Sequence, residues 1–266
     1  MSADLQTETA TRPGRWDTAA FVGVWTRELT LFRRLWPATT VSSIAEPTIY
    51  LLAFGFGFGA LISEINGIPY VEFLATGTVA VAVLFSSVFA GMFTTYVRRV
   101  YQRTYDAVLA TPTDVHEIVL AEATWIGAKA SVFGCAPLVV AFFFGLDPTW
   151  GMLAIPAINF ITGTGFAMFG QWISGVVPSI DSFSYVTSIV ITPLFLVAGT
   201  FFPLDNFPSW AQALAQLNPL YHSVQLVRDA VFGWQADDWW HLTFLIGFAA
   251  LMAILAIRRL RSRLIL

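Results

Sequence analysis

Long unbroken runs of apolar residues dominate this chain, and six of them are long enough to matter. They cover roughly Thr39–Ile62, Tyr70–Tyr96, Ile118–Gly145, Gly151–Val177, Phe183–Phe202 and Trp239–Ile257. A helix needs roughly 20 such residues to cross a bilayer. Each run is continuous rather than alternating, which favours helices over the strands of a barrel, because a helix satisfies its own backbone groups in lipid. The predicted fold is all-α and integral to the membrane: six transmembrane helices, an amphipathic interface helix before them, and re-entrant helices on the outer side.

The segments between the runs carry their own patterns. Within Asp17 to Trp36, the residues Phe21, Trp25, Leu29, Phe32 and Trp36 fall in an arc of about 80°, with Arg27, Thr30 and Arg34 opposite. This predicts a helix lying flat on the membrane surface; the alternative is an extended approach to the first span. Between the second and third runs, Tyr101, Tyr105 and Val108 recur at helical spacing, and Pro112 ends that helix by restricting Thr111. A short helix beneath the membrane fits a docking knob, although a solvated connecting loop has the same pattern. Pro203 to Asp238 is too polar to span and rich in aromatic residues, including Trp210, Tyr221, Trp234, Trp239 and Trp240. Such rings favour the membrane interface. Trp210, Leu214 and Leu217 predict a helix dipping into the outer leaflet, stopped by Asn218-Pro219.

Composition agrees. Over 266 residues, 56% are hydrophobic and only 12% charged, against about 25% charged in soluble domains, and mean hydropathy is +0.68. The formal charge of -3 says little, but its distribution says more. Of 14 Lys and Arg residues, 12 fall on one side of the six-span scheme: Arg12, Arg15, Arg27, Arg33 and Arg34 before it, Arg98, Arg99 and Arg103 in the first inner loop, and Arg258, Arg259, Arg261 and Arg263 after it. Basic residues in short loops stay in the cytoplasm, so both termini are predicted there, in a bacterial inner membrane. Arg228 alone falls outside, among Glu64, Asp147, Asp205, Asp229, Asp237 and Asp238. No basic face with interleaved aromatics points to nucleic acid, and the start of the chain lacks a leader pattern.

Chemistry-bearing motifs are few. The single lysine, Lys129, lies in Ile126-Gly-Ala-Lys-Ala, which lacks both the glycine and the hydroxyl of a phosphate-cradling loop. His116, His222 and His241 have no metal-ligand spacing, no serine sits in a nucleophile elbow, and Cys135 reads as a free buried thiol. The chain is therefore expected to be non-catalytic. Ionisable residues inside spans are costly and invite explanation. Glu122 and Lys129 are about 10 Å apart on one helix face, too far to pair, so each meets another helix or water; Glu122 lies near enough to the inner end to snorkel. Lys129 fits either a buried structural pair or a transport path. Glu46, before Pro47, reads as a structural partner at a helix break rather than a proton carrier. Gly55 and Gly59, within Phe54 to Gly59, have the spacing of close helix packing or a dimer seam, as do Gly163, Gly165 and Gly170.

Several local patterns coincide with a known family. Glu46-Pro-Thr-Ile-Tyr50-Leu-Leu-Ala-Phe-Gly55-Phe-Gly57, Thr104-Tyr-Asp-Ala-Val-Leu-Ala-Thr-Pro112, Glu117-Ile-Val-Leu-Ala-Glu122-Ala-Thr-Trp125, Ala198-Gly-Thr-Phe-Phe-Pro203 and Asn218-Pro-Leu-Tyr-His222 with Arg228 occur in order. Together they resemble the permease subunits of type-2 ABC exporters, within them the branch of the nodulation-factor (lipo-chitooligosaccharide) exporter permeases. The resemblance implies a tail over 1–16, a connecting helix over 17–36 and a transmembrane domain over 37–266, with a coupling helix at about 98–111 and an outer re-entrant segment at about 203–238. It implies two copies of the chain above two cytosolic ATPase subunits that hold ATP and Mg, with no cofactor in this chain. Contact with the ATPase would fall to Arg27 and Glu28 and to Arg98, Arg99, Tyr101, Arg103, Tyr105, Asp106, Leu109, Thr111 and Pro112. The path or its packing would involve Glu46, Tyr50, Phe54, Gly55, Gly59, Glu122 and Lys129, and an outer gate Phe201, Phe202, Pro203, Tyr221 and His222. Ala121 stands where many relatives have glycine. An amphiphilic glycolipid, lipooligosaccharide or polysaccharide-type cargo is implied; a drug or antibiotic is the rival, and an ion-coupled transporter a more distant one.

Overall fold

The computed structural model describes residues 18–204 and 207–265, without the side chains of Ser42 and Glu46. The expected tail over 1–16, with Arg12 and Arg15, and also Asp17 and Asp205 lie outside the described residues. Thr18–Gly59 form one helix, α1, which passes through Pro37 and Pro47 without breaking. The sequence predicts a surface helix, then a separate span with a break at Pro47. A proline inside a helix loses one hydrogen bond and crowds the preceding turn. Here packing on two neighbouring helices along the length of α1 holds the rod together, with Trp25 and Phe32 against Trp125 and Gly55 and Gly59 against Val71.

A two-stranded hairpin, β1 (Glu64–Ile65) and β2 (Ile68–Pro69), follows. Its turn is Asn66-Gly67, both with positive φ (53° and 77°), the pair favoured in tight hairpins. It is a small exception to the all-α expectation. The next elements are α2 (Tyr70–Tyr101), α3 (Thr104–Leu109), α4 (Val115–Phe142), α5 (Trp150–Val176), α6 (Ser182–Leu196), α7 (Ser209–Ala215), α8 (Pro219–Phe232) and α9 (Asp238–Leu264). Two π-helical turns interrupt α2, at Ala90–Thr94 and Val97–Tyr101. A capping box between Asp114 and Glu117 starts α4, satisfying backbone donors that a helix start leaves unpaired.

Five helices among the described residues are long and apolar enough to cross a membrane: α1, α2, α4, α5 and α9. The fifth expected crossing, Phe183–Phe202, is only partly helical. The helix α6 ends at Leu196, and the chain turns at Gly199, whose φ of +74° suits glycine. Thr200 then lies against Gly77 of α2, where a Cβ would approach its carbonyl oxygen to 2.8 Å. The turn is thus held by a close backbone approach that hydrophobicity does not report.

The core is built around α5, which packs on α2, α4 and α9. Gly127 and Gly163 meet at the α4–α5 crossing, Gly91 and Gly170 at α2–α5, and Gly165 under Phe248 and Ala249 of α9. Small residues let helices approach closely in lipid, where van der Waals contact takes the place of a hydrophobic drive. A Cβ added at Gly55 or Gly59 would meet Val71 of α2 at 3.8 or 3.7 Å, an ordinary contact, so these two glycines lie against α2 within this chain without being required there by space.

Candidate functional site

At the end of the bundle where α2 passes into α3, four elements converge on one carboxylate. Glu122 lies on α4, only 2% exposed. Its Oε1 accepts from Arg98 Nη1 of α2 at 2.8 Å and Arg27 Nη2 of α1 at 2.6 Å. Its Oε2 accepts from the Tyr105 hydroxyl of α3 at 2.6 Å. Glu28 of α1 completes the knot: it accepts from Arg98 Nη2 at 3.0 Å and from Arg27 Nη2 at 2.7 Å. Two guanidinium groups and two carboxylates balance, and each buried charge has a hydrogen-bonded partner, the condition under which burial is tolerated.

Local folding explains the convergence. Arg98 sits in the second π-helical turn of α2, where an extra residue per turn changes which way a side chain points. Arg103 breaks the chain with φ of 50°, allowing α3 to start in a new direction. Tyr105 on α3 is buried, and burial together with the adjacent Glu122 carboxylate pushes its phenol well above the ordinary range. It therefore remains a donor. Leu109 packs with Val115, Val119, Ala256 and Leu260, fixing the other end of α3. On α1, Trp25 donates to Thr124 at 3.2 Å and stands edge-on to Trp125 at 5.3 Å.

The predicted ATPase-facing residues thus divide. Arg27, Glu28, Arg98 and Tyr105 lie inside the knot, and Leu109 is partly buried beside it. Tyr101, Arg103, Asp106, Thr111 and Pro112 are exposed around α3. Arg99 turns away toward the end of α5, donating to the Ser174 carbonyl at 2.6 Å. Lys129 lies two turns along α4 from Glu122 and is half-buried. The backbone of Glu46 lies in α1; its side chain is outside the described set. Sequence reading names the partners of the knot without joining them, because Arg27 and Glu122 are 95 positions apart. The available signal was the cost of leaving a carboxylate alone in an apolar run.

Further along α1, a cleft of about 200 Å³ opens between α1 and α2, lined by Ser43, Pro47, Tyr50, Thr78, Phe85, Ser86 and Phe89 among others. Beyond it an aromatic column rises: Tyr50, Phe54 and Phe58 stack along α1, and Phe54 meets Phe201 at 4.9 Å and Phe58 meets Phe202 at 6.4 Å.

The predicted outer gate divides into two places, with Phe201, Phe202 and Pro203 in the turn beside α1 and Tyr221 and His222 on α8. Asn218 caps α8 through the Leu220 amide and donates to Leu194 of α6. His222 Nε2 faces the Gln216 carbonyl at 2.9 Å, which can only accept, so that nitrogen bears the hydrogen. Its bare Nδ1 then accepts from His241 Nδ1 of α9, at 2.6 Å. This pair joining α8 to α9 was not foreseen. Among the described residues no group of three or more His, Cys, Asp or Glu is placed to hold a metal. Arg228 lies over the Phe73 ring at 3.8 Å and donates to the Gly199 carbonyl at 3.1 Å, tying α8 to the turn after α6.

On the same helix, burial and the neighbouring Asp238 carboxyl push Asp229 up to about 7. The folded protein therefore holds a proton that the unfolded chain releases near 3.8. The stability from that proton is complete below the lower value and lost as pH rises to about 7. Asp229→Asn keeps the neutral form at all pH values. Its melting temperature is expected to match wild type near pH 3.5, below the unfolded value, and exceed it by roughly 3 °C at pH 8, as read by thermal unfolding in detergent.

Helices long enough to cross a bilayer, with a buried charge knot where a short helix joins them, define an integral membrane protein. Residues 19–232 match the ABC-2 type transporter family, and the chain belongs to it. Among curated relatives, the chain is 32% identical over 248 residues to Nodulation protein J of Sinorhizobium fredii strain NGR234, covering 92% of this chain and 94% of that one. It is 31% identical over 245 residues to Nodulation protein J of Neorhizobium galegae, with the same coverage. To the Inner membrane transport permease YadH of Escherichia coli K12 it is 24% identical over 217 residues, covering 80% of this chain and 83% of that one.

Proposed function

We propose that this permease subunit exports an amphiphile with a sugar-bearing head, a glycolipid or lipooligosaccharide, driven by separate cytosolic ATPase subunits that bind ATP and Mg. Two copies of the chain stand side by side over two ATPases in a bacterial inner membrane. Six crossings, the short α6 included, leave both termini in the cytoplasm, with α7 and α8 as the outer re-entrant pair. The knot around Glu122 is the observation that carries this reading. It clamps α3, the element offered to the ATPase, to α1, α2 and α4 at once, so a push on α3 moves three membrane helices as a body. Arg103, Asp106 and Pro112 form the exposed contact.

Kinship to the Nodulation protein J relatives supports the cargo class, as does the cleft between α1 and α2. Its hydroxyls at Ser43, Tyr50, Thr78 and Ser86 suit a sugar, and its rings at Phe85 and Phe89 suit stacking or an acyl chain. Drug or antibiotic efflux is the second reading, favoured by the same mixture of rings and hydroxyls.

Coupling is tested on the exposed tip, so that the knot stays intact. Asp106→Ala with Ala107→Trp in the reconstituted complex is expected to lower ATP-driven transport about tenfold, equivalent to about 1.4 kcal/mol, while chain assembly is retained. Unchanged transport and hydrolysis would remove the coupling role.

A further inference from the structure

Three arginines converge on the end of α5, and among the described residues no acid meets them. Arg99 of α2 donates through Nη2 to the Ser174 carbonyl at 2.6 Å, and Arg259 and Arg263 of α9 both donate through Nε to the Gly175 carbonyl, at 3.1 and 3.2 Å. The stem of Arg259 lies over Gly175, where a Cβ would come within 2.9 Å of its Cγ. The Tyr96 ring backs Arg99 at 5.4 Å and its hydroxyl donates to the Pro178 carbonyl, holding the loop after α5 in place.

The charges do not balance. A helix C-terminus offers about half a negative charge, against three whole positive ones that act on each other. Among the described residues no carboxylate lies within 4 Å of any of the three, whereas Arg27 and Arg98 meet Glu28 and Glu122, and Arg261 meets Asp114. Donors are also left over. Arg259 and Arg263 spend Nε on the carbonyl, which leaves their paired Nη groups uncommitted by it. Arg99 Nε is buried without a partner, and so is the hydroxyl of Ser174, a fully buried residue. Such unsatisfied groups leave hydrogen-bonding capacity open to an added partner.

From this geometry we infer that the pocket formed by Arg99, Ser174, Arg259 and Arg263 binds a phosphate group, the headgroup of an anionic phospholipid of the inner leaflet. Guanidinium forks match phosphate oxygens in pairs. The position selects the lipid: Arg99, Gly175 and Arg259 stand at the ends of three helices able to cross the membrane, α2, α5 and α9, on the face that bears most of the arginines. Basic pockets between such ends lie at headgroup depth. The bound lipid bridges α2 to α5 and α9, two helices that the charge knot does not reach, and the site is separate from the cleft between α1 and α2.

The test uses the purified full chain in detergent, with dioleoyl phosphatidylglycerol titrated and binding read by native mass spectrometry. Wild type is expected to retain phosphatidylglycerol over phosphatidylcholine, and Arg259→Gln with Arg263→Gln to weaken it by roughly tenfold or more. Arg33→Gln with Arg34→Gln removes the same charge from the exposed face of α1 and should leave it unchanged. Equal loss in both double variants, or none in the first, overturns the site. Displacement of the lipid by inorganic phosphate at millimolar concentration assigns the pocket to free phosphate instead. Retention of the lipid by the Arg259/Arg263 variant, with loss of a copurifying ATPase, assigns the arginines to a protein contact and overturns the lipid.

Discussion

Replacing Glu122 with alanine is expected to destabilise the permease by on the order of 3–5 kcal/mol, the cost of breaking a buried ionic pair from one side. Arg98 and Arg27 would share Glu28 alone, and the Tyr105 hydroxyl would lose its acceptor. Glu122→Gln keeps an acceptor for Tyr105 and should fall between wild type and alanine. Thermal unfolding of the purified chain in detergent measures both. The knot makes a second demand, because its members act as a unit. Glu122→Gln combined with Arg98→Gln should cost less than the sum of the two single changes by about 1 kcal/mol or more. Strict additivity would mean that the two side chains are neighbours without being partners.

The second large effect is steric. A Cβ on Gly170 would sit 2.5 Å from the Val88 carbonyl oxygen and 2.8 Å from the Met92 nitrogen, while one on Gly91 would collide with the Ala167 carbonyl across the same crossing. The obstacle in each case is backbone, which cannot rotate away. Gly170→Val is therefore expected to cost about 3 kcal/mol or more, the upper end for overpacking, and to separate α2 from α5. A lower yield of monodisperse protein in size-exclusion chromatography would report it. Gly247→Ala provides the comparison: nothing lies within 4 Å of its added methyl, and a helical alanine is favoured over glycine, so that variant should melt at or above the wild-type temperature.

These two regions differ in how far the sequence announces them. The spans of α2, α4, α5 and α9 were legible because each is a continuous apolar run, and length with hydropathy alone places such runs. The end of α6 was placed too late because hydrophobicity continues through Val197 to Phe202 while the backbone turns at Gly199. The continuity of α1 was missed for the opposite reason: Pro47 reads locally as a helix break, overridden by packing on α2 and α4. A knot that needs Arg27, Arg98, Tyr105 and Glu122 together depends on contacts 17 to 95 positions apart. The sequence supplied the members as residues too expensive to leave alone, and only the fold introduces them to one another. The His222–His241 pair had no such signal, since neutral imidazoles are inexpensive to bury.

Pro47 has an effect on its surroundings that outlasts the question of whether α1 bends. With no N–H to give, it leaves the peptide oxygen of Ser43, four positions earlier, without its usual helical donor, and Ser43 and Pro47 both border the space between α1 and α2. A bare main-chain oxygen in an oily setting is a fixed, unswappable acceptor: no side-chain replacement at position 43 removes it. Passengers bearing hydroxyl or amide hydrogens would gain a foothold there that a plain hydrocarbon lacks.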